Sequence, residues 1–328
     1  MSDFSTLWAW PWWATMVSIN VVSLVVCAII FRQPMKPKVE KTTRYQKWML
    51  IMGVIFTVVG LYRSIFVSVY YPQRAWFNTV ANSSLLIRLF AIFAELSFSG
   101  LITFSMLQFN TYLPANEGEN GNKFRKFIET KSPYILITCI FLAQFPATAA
   151  VITKFELLGA IEETLWLLGF LSILPLAIIQ LRRVLKIKEP ELKEQFRMLR
   201  TSAIIILAWC IIYCTYGLVF HMYEMWVSVV NQLQTGFPTI QTGLNAIIDA
   251  FMNVNVSRMY GDWDWGFLLW HSAYFSICVW ISLYLMQAPR PKDTSTKKQN
   301  KKLTITIITL MILVLITLVV LISVPSFT

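Results

Sequence analysis

Charge is scarce in this chain. Only 14% of its 328 residues are Asp, Glu, Lys or Arg, against roughly a quarter in an ordinary soluble domain, and that shortage excludes a water-soluble globule. Glycine is sparse at 12 residues, and no glycine-rich phosphate loop occurs. The two histidines are too few for a di-iron desaturase or hydroxylase cluster. No HExxH, GxSxG or paired-aspartate phosphotransferase pattern is present, which removes the zinc-peptidase and serine-hydrolase classes. The late apolar runs hold no lysine, so a retinal Schiff base is excluded. The sequence has no internal repeat, and the halves carry no paired Gly/Pro-broken helices of the kind an inverted-repeat transporter would show.

The five cysteines, Cys27, Cys139, Cys210, Cys214 and Cys278, all fall inside apolar runs, where thiols serve as small hydrophobes. Cys210 and Cys214 share a helix face, but no further Cys or His stands beside them at metal-ligand spacing. The first apolar run lacks a basic leader and an A-x-A-like exit, and Arg32, Lys36 and Lys38 follow it. It therefore reads as a span, not as a cleavable signal peptide.

What the chain has in abundance is long apolar runs. Hydrophobic residues make up 56%, gathered in runs of the roughly 20 residues that about 30 Å of hydrocarbon demands of a helix. Backbone groups in lipid must be satisfied within the segment, so these runs are helices; the short alternating segments of a membrane β-barrel are absent. The expected fold class is an all-α polytopic transmembrane helix bundle, one integral membrane domain of about eight spans. The spans expected are 7–31, 48–71, 83–108, 133–153, 157–181, 201–228, 264–287 and 303–325, with an outer loop at 229–263. Pro146 and Pro175 lie within spans and should kink them.

Orientation follows from the basic residues. Of the 28 Lys and Arg, 23 fall in alternate links, those after spans one, three, five and seven. Those links are then cytoplasmic, and both termini are outside. The surplus of +11 is a topogenic belt that also favours anionic lipid headgroups. Membrane lipids are thus the expected partners, and nucleic acid is not. Trp8, Trp10, Trp12, Trp13, Trp263 and Trp265 fall at expected outer interfaces and read as an aromatic belt. The stretch Leu244–Val256 is amphipathic and suits an outer-surface helix or a cap. Asn82 and Asn255 open glycosylation sequons on the outer side. The default compartment is a plasma membrane or bacterial inner membrane.

Ionisable residues inside spans are expensive, and here they gather in the outer half. Arg63 lies in span two, Arg88 and Glu95 in span three, Glu162 and Glu163 at the start of span five. His221 and Glu224 end span six, while Asp264, His271 and Tyr274 open span seven. Arg88 and Glu95 are seven apart and share one face; Tyr213, Gly217, His221 and Glu224 form one stripe, and Asp264, His271, Tyr274 and Cys278 another. Stripes facing inward would enclose a polar cavity open to the outside. Glu162, Glu163, Glu224 and Asp264 are shallow enough to snorkel to water. Arg63 and Glu95 are deeper and are expected to form an interhelical ion pair.

The candidate catalytic groups are therefore Glu95, His221 and His271, for proton transfer. The candidate substrate-binding groups are Arg63, Arg88, Glu224 and Tyr274. The two histidines admit three readings: a bis-histidine haem, an acid–base pair, or two hydrogen-bonded core imidazoles. At the level of function, the sequence favours a membrane-embedded enzyme or lipid-handling protein acting on a lipophilic substrate. A transporter or channel and a multi-span sensor subunit are the alternatives.

The topology predicts that a single cysteine placed in the 111–131 or 288–302 link reacts with an impermeant maleimide only from the cytoplasm. One at Asn78 or Asn245 should react from outside intact cells. Outside labelling of the 288–302 link would contradict the orientation.

Overall fold

The computed structural model describes residues 8–32, 40–70, 73–113, 123–237, 239–252, 254–263 and 265–291. It is an all-α polytopic membrane helix bundle. Among the described residues seven helices are long and apolar enough to cross a membrane. They are α1 (Trp10–Phe31), α2 (Glu40–Ile65), α3 (Ser84–Tyr112), α4 (Lys123–Thr153), α5 (Glu156–Leu185), α6 (Arg197–Thr235) and α7 (Gly266–Leu285). The span expected at 303–325 lies outside the described residues.

The helix ends carry local signals. Pro11 opens α1, where a missing N–H costs nothing. Ser83 caps α3 by accepting from the Leu86 amide at 3.3 Å. Glu156 stands in the first turn of α5 and Arg182 and Arg183 in its last, both matched to the helix dipole. Pro133, Pro146 and Pro175 are accommodated inside continuous helices. The turn between α4 and α5 is tight, with Lys154 at φ 57° and the Phe155 amide bonded to Thr153 Oγ1.

Sequential neighbours pack side by side from α1 to α6, and α7 returns between α1, α2 and α3. It is the central helix, with 78% of its apolar window buried against 39% for α1. Two glycines of α2 permit that approach. A Cβ on Gly53 would stand 2.4 Å from Met286 Cβ, and one on Gly60 2.8 Å from Val279 Cγ2. Asn20 of α1 ties the trio together, donating to Ser64 Oγ at 2.7 Å and to the Phe275 carbonyl at 2.8 Å.

Two helices contain a widened π turn, Gly217–His221 in α6 and Tyr274–Cys278 in α7. Each inserts a residue into the 3.6-residue repeat, so the stripes expected from uninterrupted helical spacing are rotated beyond these points. Tyr213 and Gly217 are buried, but Glu224 is exposed. The loop expected at 229–263 also begins later, because α6 continues to Thr235.

The described residues between α2 and α3, together with those between α6 and α7, form a cap over one end of the bundle. Its backbone frame is a two-stranded parallel pairing of β1 (Arg74–Ala75) with β2 (Asn255–Val256). The amide of Ala9 joins it through the Arg258 carbonyl at 2.7 Å. A helix at Gly243–Met252 packs on α3 and α4, held by an ion pair between Asp249 and Lys154. Lys154 also donates to Gln73 at 3.0 Å.

The cap corrects the aromatic-belt expectation for two of the six tryptophans, while Trp10 and Trp13 are half-buried and the Trp265 side chain lies outside the described ones. Trp12 and Trp263 are buried, and Trp76 fills the centre, stacked on Trp13 at 5.9 Å and edge-on to Trp10 at 5.4 Å. Trp8 alone of this group is plainly exposed among the described side chains. The sequon at Asn82 is overturned as well. That side chain is fully buried, donating to the Val67 carbonyl and accepting from the Phe77 amide, so this folded structure leaves no room for a glycan on it.

Candidate functional site

The polar groups meet where α3, α4, α5 and α6 approach one another, toward the capped end. Arg88 is the hub, 1% exposed. Its two terminal nitrogens grip Glu95, two turns along the same helix, in a bidentate pair with both contacts at 3.0 Å. Nη1 also reaches Glu162 of α5 at 3.2 Å, and Nη2 donates to Gln144 Oε1 of α4. Gln144 closes the ring by donating to Glu95 at 2.9 Å and anchors itself on the Ile140 carbonyl at 2.7 Å. The paired, charge-assisted fork is the strong form of the hydrogen bond, and one guanidinium here holds three helices.

The expected pairing of Glu95 with Arg63 is not what forms. The i, i+7 spacing that put Arg88 on the same face as Glu95 also brought the two together within one helix. Arg63 instead donates to the Tyr70 hydroxyl at 3.0 Å and lies over the Phe275 ring. Glu162, expected to snorkel, is turned into the bundle with 16% of its side chain exposed.

Its neighbour Glu163 faces a different helix. Consecutive helical residues point about 100° apart, so Glu162 meets α3 while Glu163 meets α6. There the Glu163 carboxylate lies 3.1 Å from His221 Nδ1. That contact engages Nδ1 and fixes the orientation of the ring. The imidazole packs beside Tyr216 at 5.4 Å and Trp270 at 5.5 Å, and Leu218, Val219 and Phe220, each more than half exposed, flank it on the lipid side.

His271 is in other surroundings. It is 1% exposed and enclosed by Trp12, Phe267 and Phe275 at ring distances of 5.5, 5.3 and 4.7 Å. The two imidazoles therefore pack on different aromatic neighbours. Among the described residues there is also no group of three or more His, Cys, Asp or Glu suited to a metal ion. Tyr274 is buried with its hydroxyl unbonded, and Glu224 is exposed. Asp264 lies outside the described residues. The polar side chains of the Arg88 cluster thus pack on one another, where an open polar cavity was expected.

Sequence reasoning missed Gln144 and the roles of Glu162 and Glu163. Gln144 is the only Asn or Gln in the 133–153 span, and an isolated amide in lipid is itself a signal of a polar partner. A second ionic knot also escaped notice: Glu129 of α4 pairs with Arg183 of α5 and, at 2.9 Å, with Arg125 near the opposite end. Comparison with protein-family models, with curated proteins and with solved structures finds no match.

A double-mutant cycle on thermal melting separates the two arginines. Arg88→Gln should cost about 3–5 kcal/mol because it strands buried carboxylates. Its coupling to Glu95→Gln should be about 1–3 kcal/mol, whereas Arg63→Gln and Glu95→Gln should add within about 0.5 kcal/mol. Rescue of Glu95→Gln by Arg63→Gln would contradict the geometry.

Proposed function

We propose that this multi-pass membrane protein is a membrane-embedded enzyme that performs acid–base chemistry on a lipophilic substrate in the non-cytoplasmic half of the bilayer. The observation that carries the reading is the Glu163–His221 pair, 3.1 Å apart, at a flank where exposed Leu218, Val219 and Phe220 face lipid. The carboxylate orients the imidazole and stabilises its charged form, and Nε2 takes or returns the substrate's proton. Beyond Gly217 the helix α6 leans chiefly on α5, so a substrate diffusing in the bilayer reaches His221 sideways without crossing the cap. Trp270 and Tyr216, stacked at 5.5 Å, supply a flat apolar wall for an acyl or isoprenoid chain. Arg88 and Glu95 stand behind the pair as its scaffold, since their charges are committed to each other.

A proton-coupled transporter is the second reading. It is favoured by the run of ionisable groups from Glu95 through Arg88 and Glu162 to the adjoining Glu163 and His221, which resembles a relay.

The test is reconstitution in liposomes of native lipid extract, with lipid mass spectrometry and an internal pH dye read together. Turnover of a lipid that falls roughly 10²–10⁴-fold in His221→Gln and in Glu163→Gln, in protein that melts normally, supports the enzyme. Unchanged lipids with a proton flux lost in the same variants would replace it by transport.

A further inference from the structure

One buried cation in this bundle has no anion. Arg63 is 7% exposed, and among the described residues no carboxylate pairs with it. The only hydrogen bond it makes runs from Nη1 to the Tyr70 hydroxyl at 3.0 Å, and its Nε has no acceptor. The guanidinium carbon lies 5.2 Å from the centre of the Phe275 ring and 5.7 Å from that of Tyr70. Ring contacts soften the burial of a cation, but they do not satisfy its N–H groups. Glu95, the deep carboxylate of the neighbouring helix, is already gripped by both arms of Arg88.

Two more residues that bear an unpartnered buried polar atom pack against the same Phe275 ring. His271 packs on it at 4.7 Å and Tyr274 at 5.0 Å. His271 Nε2 and the Tyr274 hydroxyl are both buried without a hydrogen bond. A guanidinium N–H, an imidazole nitrogen able to carry a proton and a phenol O–H are all donors, and a buried donor without an acceptor is disfavoured. Three donor-bearing side chains against one ring, one of them carrying an uncompensated positive charge, suit an oxyanion, which offers several lone pairs and the missing negative charge. The Tyr274–Cys278 π turn begins within this group, and π turns recur where helices carry ligands.

We propose that Arg63, His271 and Tyr274 form a binding site for one oxyanion, a phosphate or carboxylate group, beneath the cap. The oxyanion is carried by a lipid headgroup or is a free anion in water. Arg63 supplies the charge and directional N–H groups, Tyr274 and His271 supply neutral donors, and Tyr70 holds the guanidinium in place. The site uses neither His221 nor Glu163, so it stands apart from the acid–base reading.

The experiment is ligand-dependent melting of the full chain in phosphatidylcholine nanodiscs. Phosphatidic acid or oleate is titrated into the bilayer, and inorganic phosphate into the buffer in a parallel series. The wild type is expected to show a saturable rise in melting temperature with one of these probes. Arg63→Gln should weaken the apparent affinity roughly tenfold to a hundredfold, as loss of a charged hydrogen bond does. Tyr274→Phe should weaken it less, while His221→Ala and Arg182→Gln, at the opposite end, should leave it unchanged. A response to the lipids alone assigns a headgroup, and a response to phosphate assigns a soluble anion. If Arg63→Gln does not fold, Tyr274→Phe, which removes only a hydroxyl, carries the comparison. Absence of any response in the wild type, or a response that both variants retain in full, overturns the proposal.

Discussion

A guanidinium held away from water needs anions and acceptors among its neighbours, and in this bundle Arg88 finds them through both terminal nitrogens, with its Nε alone lacking an acceptor. Its partners come from α3, α4 and α5, so three helices can take only the relative heights and rotations that bring Glu95, Gln144 and Glu162 to it. Apolar contacts alone do not impose such a register, because lipid tails are as apolar as the helix surfaces and small slides lose little. A bidentate pair with a closing amide tolerates no such slide. Removing one partner costs several kcal/mol even where the intact set adds little net stability. The network is best understood as a specifier of geometry.

That register is what gives the Glu163–His221 pair its position. With Glu162 drawn to Arg88, the next residue on α5 turns toward α6, and His221 sits at the end of a π turn that orients it. The cap and α7 work in the same direction from the other side. Gly53 and Gly60 admit α7 into the centre of the bundle, Asn20 clamps it, and Trp76 closes the end over the buried indoles of Trp12 and Trp263. Polar groups beneath that lid are thereby shielded from water, which sharpens every electrostatic interaction among them.

The sequence makes the spans legible because the bilayer reduces the fold to a one-dimensional question of length and apolarity. Seven of the eight expected spans correspond to α1–α7, and the depth of Arg88, Glu95 and His221 follows from counting along them. Pairing between helices is less legible. The i, i+7 spacing placed Arg88 and Glu95 on one face, yet it carries no record of which neighbouring helix that face meets, and so Arg63 was a plausible partner until α4 and α5 were seen to approach. The π turns were hidden for a different reason: an inserted residue changes no composition, only the phase of everything beyond it, as at Glu224. The amphipathic stretch Leu244–Val256 reads as a surface helix or a cap, but the backbone frame of the cap is hidden, because short pairings such as Arg74 with Asn255 have no periodicity to read. The tryptophans read as belt residues since indoles suit both an interface and a tight core.

The central claim is that Arg88 locks the capped halves of α3, α4 and α5 as one unit. Hydrogen–deuterium exchange of the reconstituted wild type and Arg88→Gln measures this directly. The account predicts that Arg88→Gln loses protection together around Glu95, Gln144 and Glu162, while the opposite ends of the same helices, near Glu129 and Arg183, keep theirs. Unchanged protection at all three positions, or an even loss along the whole length of the helices, would contradict it.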